Sequence, residues 1–134
     1  MGRRDVIVLD THVWLWWVSE PAKLSRRARD AIGDADLLGV PSICCWEVAT
    51  RVGLGKLHLD RDLRTWIRQA LAQERITALE LTTSLAVDAA LLARDGIHGD
   101  PADRIIAATA MSLNAALVTK DRALRGFAPL ATIW

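Results

Sequence analysis

Residues 6–17 read VIVLDTHVWLWW. Val6 to Leu9 form a β-branched apolar run between two charges, too short for a helix, so the run reads as a buried strand. Thr11 then opens a helix to about Val18, with Thr11 itself as its cap. A buried strand that ends on an acid and passes at once into a helix is the repeating unit of a parallel α/β sheet. The rest of the chain keeps that alternation.

Downstream, residues 24–33 (LSRRARDAIG) predict a helix that stops at Gly33. Leu37 to Val40 is a second strand. Ser42 caps a helix from Ile43 to about Val52, closed by Gly-Leu-Gly at 53–55. Leu63, Trp66, Ile67, Ala70 and Leu71 recur at helical spacing, with Arg61, Arg64 and Arg68 on the other side. Ile76 to Leu81 is a third strand, and Thr83 or Ser84 opens a helix reaching about Arg94. Asp100 and Pro101 suit the cap and first position of a helix that runs to about Asn114. Ala116 to Thr119 is a fourth strand and Thr132 to Trp134 a short fifth. Strands separated by helices imply a parallel sheet with right-handed crossovers, whose ligand crevice lies beyond the strands' carboxyl ends.

Composition is compatible with this frame. The 134 residues are 51% apolar and 25% charged, which suits one folded domain spanning residues 1–134 and excludes a disordered chain. There is no repeat or low-complexity linker. Seventeen basic and sixteen acidic residues leave a net charge of +1, which neither favours nor excludes a nucleic-acid partner. No apolar run approaches the roughly 18 residues of a membrane span. Asp5 and Asp10 interrupt any signal-peptide core in MGRRDVIVLD, so a cytoplasmic location and no membrane association are expected. Cys44 and Cys45 are adjacent and lack zinc-site spacing, which suits reduced, buried thiols.

The acids fall into a pattern on this frame. Asp10 ends the first strand and Asp121 follows the fourth. Glu47 lies in the early turns of the helix after the second strand, and Asp100 and Asp103 start the late helix. All five therefore belong to one edge of the sheet. Each has an ordinary explanation alone: helix capping for Asp100 and Asp103, a turn for Asp10 or Asp121, a solvated helix face for Glu47. Together they repel one another, and a divalent cation with hard oxygen ligands resolves the repulsion. Such a site activates water and neutralises a phosphodiester, so the chemistry expected is metal-assisted phosphodiester hydrolysis. Asp34, Asp36, Asp60 and Asp62 fall outside the pattern and read as turn or cap residues.

VIVLDTHVWLWW, SICCWEVA, HGDPADRIIAATA and ALVTKDRAL, in that order and over nearly the whole chain, resemble the successive motifs of PIN-domain toxins of the VapC family. The resemblance implies a PIN-like three-layer fold, a parallel sheet of order 3-2-1-4-5 flanked by helices. It implies a ribonuclease toxin of a toxin–antitoxin module, using Mg²⁺ or Mn²⁺ on single-stranded or structured RNA and blocked by a cognate VapB-type antitoxin. Carried over residue by residue, Asp10, Glu47, Asp103 and Asp121 are the catalytic and metal-binding acids, with Asp100 a further candidate ligand. Thr11 and Thr119 would support them, orienting carboxylates or water. Arg104, beside Asp103, would contact a substrate phosphate or hold an active-site acid. The family and the six tryptophans together point to a homodimer.

Other residues invite competing readings. His12, His58 and His98 show no shared spacing; His12 is read as structural or capping, and His98 as ordering the loop before the late helix. Trp14 and Trp17 share a helix face that Trp16 does not, and Trp46 is expected in the core. Arg26, Arg27 and Arg29, with Arg51 and Lys56, would form basic walls beside the acids. Aspartyl-phosphate chemistry at Asp10 is disfavoured because His12 stands where those phosphatases usually carry a second aspartate. An inactive binding module and a housekeeping RNA-processing nuclease are the remaining alternatives.

Overall fold

A computed structural model describes residues 5–97 and 99–134. Its sheet is parallel, with strands β1 (Val6–Leu9), β2 (Leu37–Pro41), β3 (Ile76–Leu79), β4 (Leu117–Val118) and β5 (Thr132–Ile133) in the order 3-2-1-4-5. The helices that flank it are α1 (Thr11–Ser19), α2 (Arg26–Asp34), α3 (Ser42–Gly53), α4 (Leu63–Leu71), α5 (Thr83–Leu91), α6 (Pro101–Ser112) and α7 (Arg122–Arg125). The predicted fold class and strand order are those observed.

β1 is central because its sequence is apolar on both faces: Val8 and Leu9 are fully buried, and Val8 sits in register with Gly39 of β2 and Leu117 of β4. Gly39 lets β3 pack close, since a Cβ there would meet Leu79 Cδ1 at 2.6 Å. Trp14 of α1 is fully buried and meets Trp66 of α4 edge-on, ring centroids 5.3 Å apart. No helix among the described residues is long and apolar enough to cross a membrane.

Several local expectations change. The α1 cap is Asp10, not Thr11: its carboxylate accepts from the Thr11 N–H, so the residue that follows the strand also starts the helix. Ser42 lies inside α3, where its hydroxyl accepts from the Leu81 N–H. The cap of α5 is Thr82, one residue before the expected start. β3 and β4 are shorter than predicted, and Gly33 lies within α2. Two short elements escaped prediction: a 3₁₀ turn at Pro21–Lys23 and α7, the latter capped by Asp121. Trp46 is 59% exposed rather than in the core: Cys44 and Val48, one helical turn apart, are the buried residues of α3, and position 46 turns away from them. His98, expected to order the loop before α6, lies outside the described residues.

Candidate active site

All five carboxylates singled out in the sequence line one pocket of about 620 Å³ at the carboxyl edge of the sheet: Asp10, Glu47, Asp100, Asp103 and Asp121. Parallel pairing brings them there. β1 leads directly to Asp10 and β4 leads to Asp121, so these two acids flank the point where the strand order reverses. β2 launches α3, which carries Glu47. Asp100 caps α6 through the Ala102 N–H at 3.0 Å, and Asp103 lies in that helix's first turn, where the dipole favours negative charge.

Hydroxyls fix the innermost acids. The Thr119 hydroxyl donates to Asp10 Oδ2 at 2.7 Å and accepts from the Asp121 N–H at 3.0 Å. The Thr11 N–H donates to Asp10 Oδ1 at 2.8 Å, so both Asp10 oxygens are held. The Thr11 hydroxyl donates to Glu47 Oε1. Asp121 accepts from the Leu124 N–H at 2.9 Å, which fixes α7 to the same edge. Thr11, Thr119 and Asp10 are all buried, so the two bonds to the Asp10 carboxylate are shielded from water, while the others are partly so.

The electrostatics show strong crowding. Asp103 is pushed from 3.8 up to about 7, first by burial and then by the charges of Asp10, Asp121, Glu47 and Asp100. Burial also raises Asp10, against the hydrogen bonds from Thr119 and Thr11 that lower it. Glu47 is raised by burial too, with the Thr11 hydroxyl opposing. The His12 imidazole is lowered by burial and by Arg51.

The donor set fits a hard divalent cation. Five carboxylates line the pocket with no thiol among them, since Cys44 is buried and aims its Sγ at the Leu9 carbonyl. Among the described residues, no three acidic, histidine or cysteine side chains already close on one point as a finished cage. The acids face a shared open volume instead, which suits an ion that keeps several waters.

Other expected residues fall differently. Arg104 Nη1 donates to the Gly99 carbonyl at 2.9 Å and is absent from the pocket lining, so it ties down the loop before Asp100 and holds no active-site carboxylate. Arg51 lines the carboxylate pocket, Lys56 a smaller recess beside it with Trp46, and Arg27 a separate one. His58 belongs to a different cleft with Asp60 and Arg61. The sequence alone does not single out Trp16, Lys120 and Arg122 as pocket residues, and His12, whose closeness to Asp10 allows a place near the ion, lines the pocket as well. Helical spacing carried the signal for His12 and Trp16, one turn apart on the helix that Asp10 caps, and sequence adjacency to Asp121 carried it for Lys120 and Arg122.

Comparison with known proteins agrees with this geometry. Residues 7–128 match the PIN domain family. The chain is 40% identical over 119 residues to Ribonuclease VapC22 of Mycobacterium tuberculosis, covering 89% of each chain. Among solved structures, the DNA-bound VapBC of Salmonella typhimurium superposes with a TM-score of 0.69 at 20% identity, covering 97% of both chains. VapBC2 from Rickettsia felis, bound to a promoter DNA fragment, gives 0.67 at 16% identity, with 95% of this chain and 96% of that one covered. With the family matched over most of its length and a close relative in the ribonuclease group, this chain belongs to the PIN-domain family, in its VapC branch.

Proposed function

We propose that the chain is a metal-dependent endoribonuclease acting as the toxin of a VapBC-type toxin–antitoxin module in the cytoplasm. The convergence of five carboxylates from four strand–helix units on one pocket carries this reading. The 40% identity to a ribonuclease of the VapC group supports the substrate class. Its ion is Mg²⁺ or Mn²⁺, its partner a cognate VapB-type antitoxin that blocks the pocket, and its assembly a homodimer of single-domain chains.

Asp10, Asp103, Glu47 and Asp121 would hold the ion, with Asp100 at the rim. When bound, the ion neutralises phosphodiester charge and makes an attacking water more acidic. The chain's own groups prepare that chemistry. Thr119 and the Thr11 N–H lock both oxygens of Asp10, so this carboxylate has no freedom to lose when a ligand arrives. Thr11 gives Glu47 one fixed oxygen and leaves the other for water or ion. Arg51, Lys120 and Arg122, on the same pocket, offset the repulsion between the acids and the RNA phosphates.

The test is cleavage of total RNA by antitoxin-free protein, in Mg²⁺ or Mn²⁺ and in excess EDTA, beside Asp103→Asn. Discrete products that need both the ion and Asp103 are expected. Cleavage unaffected by EDTA, or retained in Asp103→Asn, would overturn the metal-hydrolysis mechanism. Folded protein that binds neither ion nor RNA would overturn the ribonuclease reading.

A further inference from the structure

A second recess, of about 450 Å³, adjoins the carboxylate pocket, and its character is opposite. Arg27 of α2 and Arg122 and Arg125 of α7 line it together with Thr132 and Trp134, and no acidic side chain does. All three arginines are exposed, and the ion pairs among the described residues, Lys23–Glu20 and Arg61–Asp60, involve none of them. Three guanidinium groups around one hollow repel each other, so the recess favours an anion, and guanidinium forks match phosphate oxygens.

Its connection to the acids is direct. Arg122 lines both pockets. Asp121, the acid beside it, caps the short helix that carries Arg122 and Arg125. A second link is aromatic. Trp16 lines the carboxylate pocket and Trp134 the basic recess, with ring centroids 6.1 Å apart. Lys120 Nζ lies 5.9 Å from the Trp16 ring centroid. Leaving the acids, a ligand therefore meets cation and aromatic groups in alternation. That pattern suits a strand of phosphates and bases better than an acidic peptide, which has no flat bases to stack.

We propose that the Arg27–Arg122–Arg125 recess is a phosphate-binding subsite for the RNA strand, seating the backbone beyond the scissile bond while a flanking base rests on Trp16 and Trp134. The subsite rests on the ribonuclease reading and adds to it the direction in which the strand leaves the acids: across α7, towards α2 and β5. Its arginines give affinity without reading sequence.

Binding of a fluorescent oligouridylate of about 15 nucleotides, a length within the reach of one such groove, is measured in EDTA across a salt series, so that no strand is cut. Wild type, Arg27→Gln/Arg125→Gln and Arg27→Lys/Arg125→Lys are compared as full chains, with melting curves to show that each is folded. Each lost single-strand phosphate contact removes ~0.7 from the slope of log affinity against log salt, which is ~5-fold in affinity near 0.1 M salt. The double glutamine variant should therefore lose ~1.4 of slope and bind ~25-fold more weakly, and the lysine variant should recover most of both. A folded glutamine variant with the wild-type slope would overturn the subsite. So would unchanged RNA binding with lost antitoxin binding, which would make the recess a protein-docking site. If wild type cleaves RNA while the variants bind as it does, the subsite alone falls; if wild type neither binds nor cleaves RNA, the ribonuclease reading falls with it.

Discussion

Replacing Asp103 with asparagine should make the metal-free protein more stable while destroying its function. The Asp103 carboxyl stands at about 7 in the fold against an ordinary 3.8, because burial and four neighbouring carboxylates disfavour its charge. The sign follows directly. Below pH 3.8 the group is neutral in both folded and unfolded chains and costs nothing. Between 3.8 and about 7 the unfolded chain releases the proton and the folded one keeps it, so stability falls as pH rises. Above about 7 the full penalty is present. At about 1.4 kcal/mol per pH unit the step is worth ~4 kcal/mol, and because Asp103 is only half-buried, solvent screening reduces this to ~2 kcal/mol. Asp103→Asn removes the charge and keeps the shape. In EDTA near pH 8 it should unfold at higher urea than wild type, by ~2 kcal/mol, or melt about 5–10 °C higher. The gap should close as pH falls towards 4. Saturating Mn²⁺ should reverse the order, since an ion at a hundredfold its Kd adds ~2.7 kcal/mol to the protein that binds it. An asparagine variant that is less stable than wild type in EDTA at pH 8, or a gap that does not change with pH, would refute the reasoning.

Three further outcomes follow from the same geometry. Thr119→Val removes the hydroxyl that donates to Asp10 and accepts from the Asp121 N–H; cleavage or Mn²⁺ affinity should fall by ~10–100-fold while Thr119→Ser stays near wild type, and an equally active valine variant would show that this hydroxyl positions nothing. Because a proton competes with the ion at Asp103, Mn²⁺ affinity should rise with pH by up to about tenfold per unit below about 7 and level off above it; calorimetry in buffers of different ionisation heat should count ~1 proton released per ion near pH 6. Trp14 is fully buried and its Nε1 has no partner among the described residues; Trp14→Ala should cost ~3–5 kcal/mol of unfolding free energy, whereas Trp14→Phe should cost only ~1 kcal/mol, since it also removes an unsatisfied donor worth about 1–3 kcal/mol.

What the sequence made legible depended on how far each signal reached along the chain. β1 was readable because four apolar residues between charges have few alternatives, and the sheet order entered through the resemblance to a family. The five acids were readable as a group because parallel topology sends strand ends and the helix starts that follow them to one edge: Asp10 and Asp121 adjoin strand ends, and Glu47, Asp100 and Asp103 lie in the early turns or at the cap of helices. Elements set by a single local bond were not. α7 is four residues long and has no period to detect; the bond from the Leu124 N–H to Asp121 starts it. Asp10 was read as the end of a strand and Thr11 as a cap because the pattern gives each residue one role, whereas the carboxylate of Asp10 starts α1 as well.

The residues hardest to read in the sequence are those that turn an acidic cluster into a place where RNA can come. Acids are conspicuous because they interrupt apolar runs, whereas arginines and lysines on helix surfaces have the same appearance whether they face solvent or a substrate. Arg26, Arg27 and Arg29 lie within four positions on α2, yet Arg27 is the one of the three that lines the basic recess. Arg104, conspicuous beside Asp103, instead spends its guanidinium on the Gly99 carbonyl. The difference is angular. Neighbouring positions on a helix point about 100° apart, so proximity in sequence to an acid does not by itself place a cation beside that acid in space. Arg51 shows the converse: it lies one turn after Glu47 on α3, shares its face, and lines the same pocket. Helical phase decides which of two equally charged residues lines the pocket, and phase is informative only once a fixed point such as Glu47 or Asp121 is known. The basic side of this site is legible from its acids outward and cannot be read in the other direction.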